Sequence, residues 1–103
     1  MVLAAIGEAE LAAVSAVSLF EISLKRNLGK IRPPVDDVVG ELDRHGFTPL
    51  DITPEQAWTA GALPLHHRDP FDRLLVAQAQ LEGLTIVTRD PAIARYQVAV
   101  LPA

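Results

Sequence analysis

The sequence predicts a single α/β domain with a short parallel β-sheet, and three observations support this fold class. The chain has 103 residues and 50% of them are hydrophobic, so residues 1–103 fit one domain with a buried core. Helical patterns bounded by capping residues and glycines alternate with short apolar runs. The runs have the length of strands, and their alternation with helices is typical of a parallel sheet.

Three elements are predicted before residue 30. Val2–Leu11 has apolar residues at helical spacing, which indicates a helix or the remnant of one. Ala12–Ala16 is a short apolar run that favours a buried strand. An S-x-x-E capping box that ends in Glu21 predicts a helix over 18–27, with Gly29 as its stop.

The middle of the chain predicts a helix, an edge strand and a second helix. Val35–His45 places its valines and leucine on one helical face. Phe47–Ile52 predicts a short strand, which its proline confines to a sheet edge. Thr53-Pro54 is a cap followed by proline, so we expect a helix over 54–61 with Trp58 as its core anchor.

The last third of the chain repeats the same signals. Asp69-Pro70 is a second cap-and-proline pair and opens a predicted helix over 70–81. Leu84–Val87 predicts a strand, Pro91–Tyr96 a short helix and Gln97–Leu101 a last strand.

Composition excludes several classes of site. The chain has no cysteine, which excludes disulfides and thiolate zinc sites and favours the cytoplasm. The formal net charge of −4 argues against a broad basic surface for nucleic acid, so such contact would need a local basic patch or metal ions. No apolar run has the length of a membrane span, and the opening residues lack the pattern of a signal peptide.

Three carboxylates fall where a parallel sheet is expected to carry chemistry. Glu21 follows the strand Ala12–Ala16 and lies in the first turn of the next predicted helix, and Asp90 follows the strand Leu84–Val87. Asp72 lies in the first turn of its own helix. Converging carboxylates repel one another, and a hard cation such as Mg²⁺ or Mn²⁺ relieves that repulsion. We therefore expect an acidic metal site.

Each carboxylate also has a structural interpretation. Glu21 can complete the capping box with Ser18 or pair with Lys25 one turn later. Asp72 suits the positive end of its helix dipole, and Asp90 can cap the short helix that follows it. The joint pattern, rather than any single acid, favours the metal site.

One basic cluster and one histidine pair complete the candidates. Lys25, Arg26, Lys30 and Arg32 form the basic cluster, which is either a solvated face or a contact for a phosphate backbone. We expect the pair His66-His67 to pack at the surface rather than to bind metal.

Three segments and Tyr96 form motifs of a known protein family. The segments are residues 18–31, 67–79 and 84–90, which read SLFEISLKRNLGKI, HRDPFDRLLVAQA and LTIVTRD. Together they resemble PIN-domain proteins, and in particular the VapC type, the toxin half of bacterial VapBC toxin–antitoxin pairs.

The resemblance implies a PIN-like α/β/α sandwich and an endoribonuclease activity. In this family an acidic pocket binds one or two Mg²⁺ or Mn²⁺ ions and cleaves RNA, and an antitoxin is the cognate partner. Lys25 and Arg26 would then hold the RNA strand.

The resemblance also implies roles for individual residues. Glu21, Asp72 and Asp90 match three members of the family's acidic quartet, as catalytic residues and metal ligands. Asp69 matches a residue close to that site, which we interpret as a cap or a support for the ligands. Thr88 matches a small hydroxyl position beside the pocket.

The first motif of the family, a central strand that carries the fourth acid, has no counterpart in this sequence. Glu8 lies in a predicted helix and does not replace that acid. The strands Ala12–Ala16 and Leu84–Val87 should then lack a shared neighbour, and a gap of this kind favours a homodimer or a partner strand. The alternative function is a weakly active or inactive PIN-like module that binds an antitoxin or its own copy.

Overall fold

The computed structural model describes residues 4–6, 12–66, 69–88 and 90–102, which form five strands and four α-helices. The strands are β1 Ala4–Ile6, β2 Ala12–Ser15, β3 Thr48–Leu50, β4 Thr85–Thr88 and β5 Val100–Pro102. The helices are α1 Ala16–Asn27, α2 Val38–Arg44, α3 Pro54–Ala62 and α4 Pro70–Glu82, and a short 3-10 helix covers Ile93–Arg95. No helix in these ranges is long and apolar enough to cross a membrane.

The five strands form one sheet in the order β3-β2-β1-β4-β5. The outer pairs β2–β3 and β4–β5 are parallel, whereas β1 runs antiparallel to both of its neighbours. The predicted α/β class is confirmed, but the sheet is mixed rather than wholly parallel. Because β2 and β4 both oppose β1, they run parallel to each other and end at the same edge.

The central strand β1 corrects two predictions. A helix over Val2–Leu11 is wrong, because Ala4–Ile6 is a strand; the other residues of that segment lie outside the described ranges. The expected gap between β2 and β4 is wrong as well, because β1 pairs with both strands through Ala5 and its neighbours. Pairing on two sides satisfies the backbone of a segment that has no strong pattern of its own. Because β1 fills this place, the sheet gives no reason to expect a strand from a partner chain between β2 and β4.

Capping side chains set the helix starts. The hydroxyl of Ser15 accepts from the amide of Val17, so α1 begins at Ala16 and the predicted capping box at Ser18 is wrong. Asp37 caps α2 through the amide of Gly40, which moves its start to residue 38. The cap-and-proline signals before α3 and α4 are confirmed.

The core lies where α1 and α4 pack on the sheet. Its buried members are Val17, Leu75, Val76, Ala79, Ile86, Ile93 and Tyr96. Trp58 does not belong to it, because its side chain is 85% exposed. The buried residues of α3 are Gln56 and Ala60, one turn apart, and Trp58 projects from the opposite face of the helix.

Candidate active site

The carboxyl ends of β2 and β4 form the edge on which the candidate site lies. Ala5 of β1 pairs with both Ala13 and Ile86, so these two residues stand at the same level of the sheet. Two residues further along each strand, Ser15 and Thr88 are also level and point to the same face. Two strand spacings separate them, about 10 Å. Both are buried, at 7% and 2% exposure.

Each of these hydroxyls fixes the turn that follows its strand. Ser15 begins α1, the helix that carries Glu21. Thr88 accepts from the amide of Asp90 at 3.1 Å, and Asp90 in turn accepts from the amide of Ala92 at 2.9 Å. Asp90 is half-buried and is held by these bonds directly beyond β4. Thr88, which matches a small hydroxyl position of the family, thus supports Asp90 through this hydrogen bond.

Asp72 occupies the first turn of α4 and is 4% exposed. Asp69 caps that helix, as predicted, because its Oδ1 accepts from the amides of Phe71 and Asp72 at 2.9 and 3.4 Å. The ring of Phe71 lies 5.3 Å from that of Phe20, between centroids. Phe71 directly precedes Asp72, and Phe20 directly precedes Glu21. The contact between the two rings therefore places the turns that carry these acids next to each other.

Glu21 is 6% exposed and lies in the second turn of α1 rather than in the first. Its Oε2 lies 3.4 Å from Nζ of Lys25, which confirms that these two side chains can pair. Its Oε1 is buried, and no donor among the described residues reaches it. Burying a carboxylate oxygen without a partner is costly, and oxygen ligands of this kind suit Mg²⁺ and Mn²⁺. Glu21 therefore fits the chemistry of a divalent cation.

Within the described ranges, no three Asp, Glu or His side chains are grouped as a ready-made metal site. Glu21 and Asp72 lie on packed helices, whereas Asp90 lies beyond the end of β4. Their joint role as ligands stays a prediction.

The predicted RNA-binding residues have partners on the protein. Lys25 pairs with Glu21, and Arg26 donates to the carbonyl of Asp36 at 3.1 Å. His66 packs its ring edge-on against Tyr96 at 5.0 Å, as expected for a packing role, and His67 lies outside the described ranges. Binding of RNA by Lys25 and Arg26 stays a prediction.

Sequence reasoning missed a set of buried polar side chains between α3 and α4. Arg73 is 9% exposed and donates to backbone carbonyls at the end of α3. The side-chain amide of Gln78 donates to Oε1 of Gln56 at 3.2 Å and to the carbonyl of Asp51 at 3.1 Å. No local signal in the sequence marks Arg73, because its partners lie 9 to 13 residues away in the chain and meet it only in the fold.

Comparisons with known proteins agree with the motifs. The family model of the PIN domain matches residues 2–99. Ribonuclease VapC22 of Mycobacterium tuberculosis is 39% identical over 89 residues, which cover 84% of this chain and 68% of that protein. No solved structure matches.

Proposed function

Because this chain belongs to the PIN-domain family, we propose that it is a metal-dependent endoribonuclease, the toxin of a toxin–antitoxin pair, acting in the cytoplasm. The observation that carries the proposal is the pair of buried carboxylates on adjacent helix turns, Glu21 and Asp72. One oxygen of Glu21 faces no donor among the described residues, so the site offers a ligand position to a cation. The similarity to a ribonuclease adds the substrate class.

The acids have distinct parts in this proposal. Glu21, Asp72 and Asp90 would hold Mg²⁺ or Mn²⁺, which when bound polarises the scissile phosphate and makes water a nucleophile near neutral pH. Asp69 keeps the first turn of α4 in place through its caps. Thr88 keeps Asp90 at the strand end. Both supports act by limiting the movement of the ligands.

Lys25 and Arg26 would contribute to substrate binding. Both lie in the last turn of α1, one turn beyond Glu21, where a phosphate backbone can pass. Nζ of Lys25 lies 3.4 Å from Oε2 of Glu21, and this ammonium group would contact a phosphate where the RNA backbone passes the site.

Cleavage of a random-sequence RNA oligonucleotide pool in Mg²⁺ and in Mn²⁺ tests the proposal. We expect the wild-type protein to cleave, and E21Q, D72N and D90N to lose at least about 10-fold in rate, since even indirect ligand supports have effects of that size. The matched control is E55Q, which removes an exposed carboxylate from the first turn of α3. Equal cleavage by wild type and the three site variants would refute the site, and no cleavage by wild type would refute the activity.

One observation favours a second function, the binding of a protein partner. Phe20, Leu24 and Leu28 follow one another at helical spacing along α1 and are 54, 38 and 57% exposed. We propose that the cognate antitoxin covers the exposed face formed by Phe20, Leu24 and Leu28, and that a second copy of the chain is the competing occupant.

Light scattering separates the two occupants. Wild type and L24E are compared alone and after co-expression with the neighbouring antitoxin gene product. Antitoxin binding predicts a monomer alone and a complex that L24E disrupts. A concentration-independent dimer that L24E converts to monomer would instead assign the surface to self-association.

A further inference from the structure

The carbonyl of Pro64 accepts hydrogen bonds from two buried side chains that come from different parts of the chain. The hydroxyl of Tyr96 donates to it at 2.7 Å, and Nη1 of Arg73 donates to it at 3.0 Å. Tyr96 is 5% exposed and Arg73 is 9% exposed. We call these three groups, Pro64, Arg73 and Tyr96, the carbonyl clasp.

Arg73 fixes the direction of the shared carbonyl. Its Nη2 donates to the carbonyls of Ala60 and Leu63, both at 2.9 Å, so the guanidinium binds the last turn of α3 and the residues after it. Arg73 directly follows Asp72 in α4, and its backbone amide donates to the carbonyl of Asp69. One side of the carbonyl clasp is therefore continuous with the turn that carries Asp72.

Tyr96 fixes the other side. The amide of Ile93 donates to the carbonyl of Asp90 at 3.2 Å, and the amide of Tyr96 donates to the carbonyl of Ile93 at 3.1 Å. The 3-10 helix thus connects Asp90 to Tyr96 through successive backbone bonds. The ring of Tyr96 also belongs to the core, which restricts how far this segment can move.

We propose that the Tyr96 hydroxyl is a positioning group for the metal site, which holds Asp90 at its working distance from Asp72 through the carbonyl of Pro64. The inference rests on the proposed function, because it concerns ligands of that same site. The ring alone would serve the core, and phenylalanine would supply it. The hydroxyl adds a directed bond to the backbone segment that Arg73 also holds.

Mn²⁺ binding by Y96F, measured by titration calorimetry on the full chain, tests this role. The variant keeps the ring and removes one oxygen. We expect the dissociation constant for Mn²⁺ to rise about 10-fold, the range found when supports of metal ligands are removed. In RNA cleavage by Y96F, kcat should fall while KM stays unchanged, because the variant removes no contact with the substrate.

The control is L84V, which removes one methylene from a residue that packs on the core at the opposite end of β4. We expect it to lower the melting temperature while leaving Mn²⁺ affinity at the wild-type value. Wild-type Mn²⁺ affinity in Y96F, or equal losses in Y96F and L84V, would overturn the positioning role alone. A wild-type protein that binds no Mn²⁺ would overturn the proposed function and this inference together.

Discussion

Arg73 and Glu21 are both charged, both buried and both on helices that pack against the sheet, yet their surroundings differ. The guanidinium of Arg73 donates to four backbone carbonyls. Among the described residues, Glu21 has one partner, the ammonium group of Lys25 at 3.4 Å, and no donor reaches its Oε1. The carbonyls bound by Arg73 are those of Ala60, Gly61, Leu63 and Pro64.

The difference separates a buried charge that builds the fold from one that prepares a site. Arg73 completes the carbonyls at the end of α3, where a cation is also favoured by the helix dipole. Glu21 has an oxygen that no donor among the described residues reaches, which lowers stability unless a ligand binds that oxygen.

The largest effect is expected for R73M. Removing the guanidinium leaves several buried carbonyls without donors, and we expect the free energy of unfolding to fall by about 3 kcal/mol. Urea denaturation followed by circular dichroism measures it. R73K is the matched control. It keeps a positive charge but loses the planar set of guanidinium donors, so its free energy of unfolding should fall by a smaller amount than that of R73M. If R73M lost no more unfolding free energy than a typical surface substitution does, Arg73 would not hold the end of α3.

A smaller effect is expected for K25M. Lys25 is 33% exposed, so without metal the loss of its ion pair should cost only about 0.5 kcal/mol of unfolding free energy. Because the ammonium competes with a cation for Glu21, Mn²⁺ should bind about twofold more tightly to K25M. The control is R26M, whose side chain contacts a backbone carbonyl rather than Glu21. Weaker Mn²⁺ binding by K25M would mean that Lys25 helps to hold Glu21 in place rather than competing with the cation for it.

The smallest effect is expected for E41Q on α2, a helix without buried residues. Hydrogen bonds from Arg44 and then His45 hold the pKa of Glu41 below its usual value. A lowered carboxylate pKa stabilises the fold above the unfolded pKa, and the contribution is lost as the pH falls through the folded value. The wild type should therefore melt slightly above E41Q near neutral pH, and the difference should vanish in acid. D43N on the same helix is the control, and a difference that grows in acid would contradict the assignment.

Cap-and-proline signals in the sequence predicted the starts of two helices. Thr53 and Asp69, each followed by proline, start α3 and α4 as expected, and Gly83 adopts a φ of +67° to end α4. The strand Ala4–Ile6 escaped prediction because its stability comes from β2 and β4, which lie far apart in the chain. The prediction that Trp58 anchors α3 in the core was wrong, because packing through Gln56 and Ala60, rather than side-chain hydrophobicity, decides which face of α3 is buried.

The candidate site was predicted by residue type but not by environment. The acids Glu21, Asp72 and Asp90 were chosen for their positions after strands and at helix starts. The burial of Glu21 and its unsatisfied oxygen depend on contacts between α1 and α4, which no local pattern encodes. The same limit hid Arg73, whose partners stand 9 to 13 residues away in the chain.

The central claim, that Glu21 is kept for a cation, is tested most directly by the unfolding free energy of E21Q with and without Mn²⁺. Without metal, we predict that E21Q is at least as stable as wild type, because it removes a buried charge whose Oε1 meets no donor among the described residues. At a Mn²⁺ concentration of about 100 times the dissociation constant, wild type should gain about 2.7 kcal/mol, whereas E21Q should gain little. An E21Q protein that is less stable without metal and gains as much as wild type with it would contradict the claim.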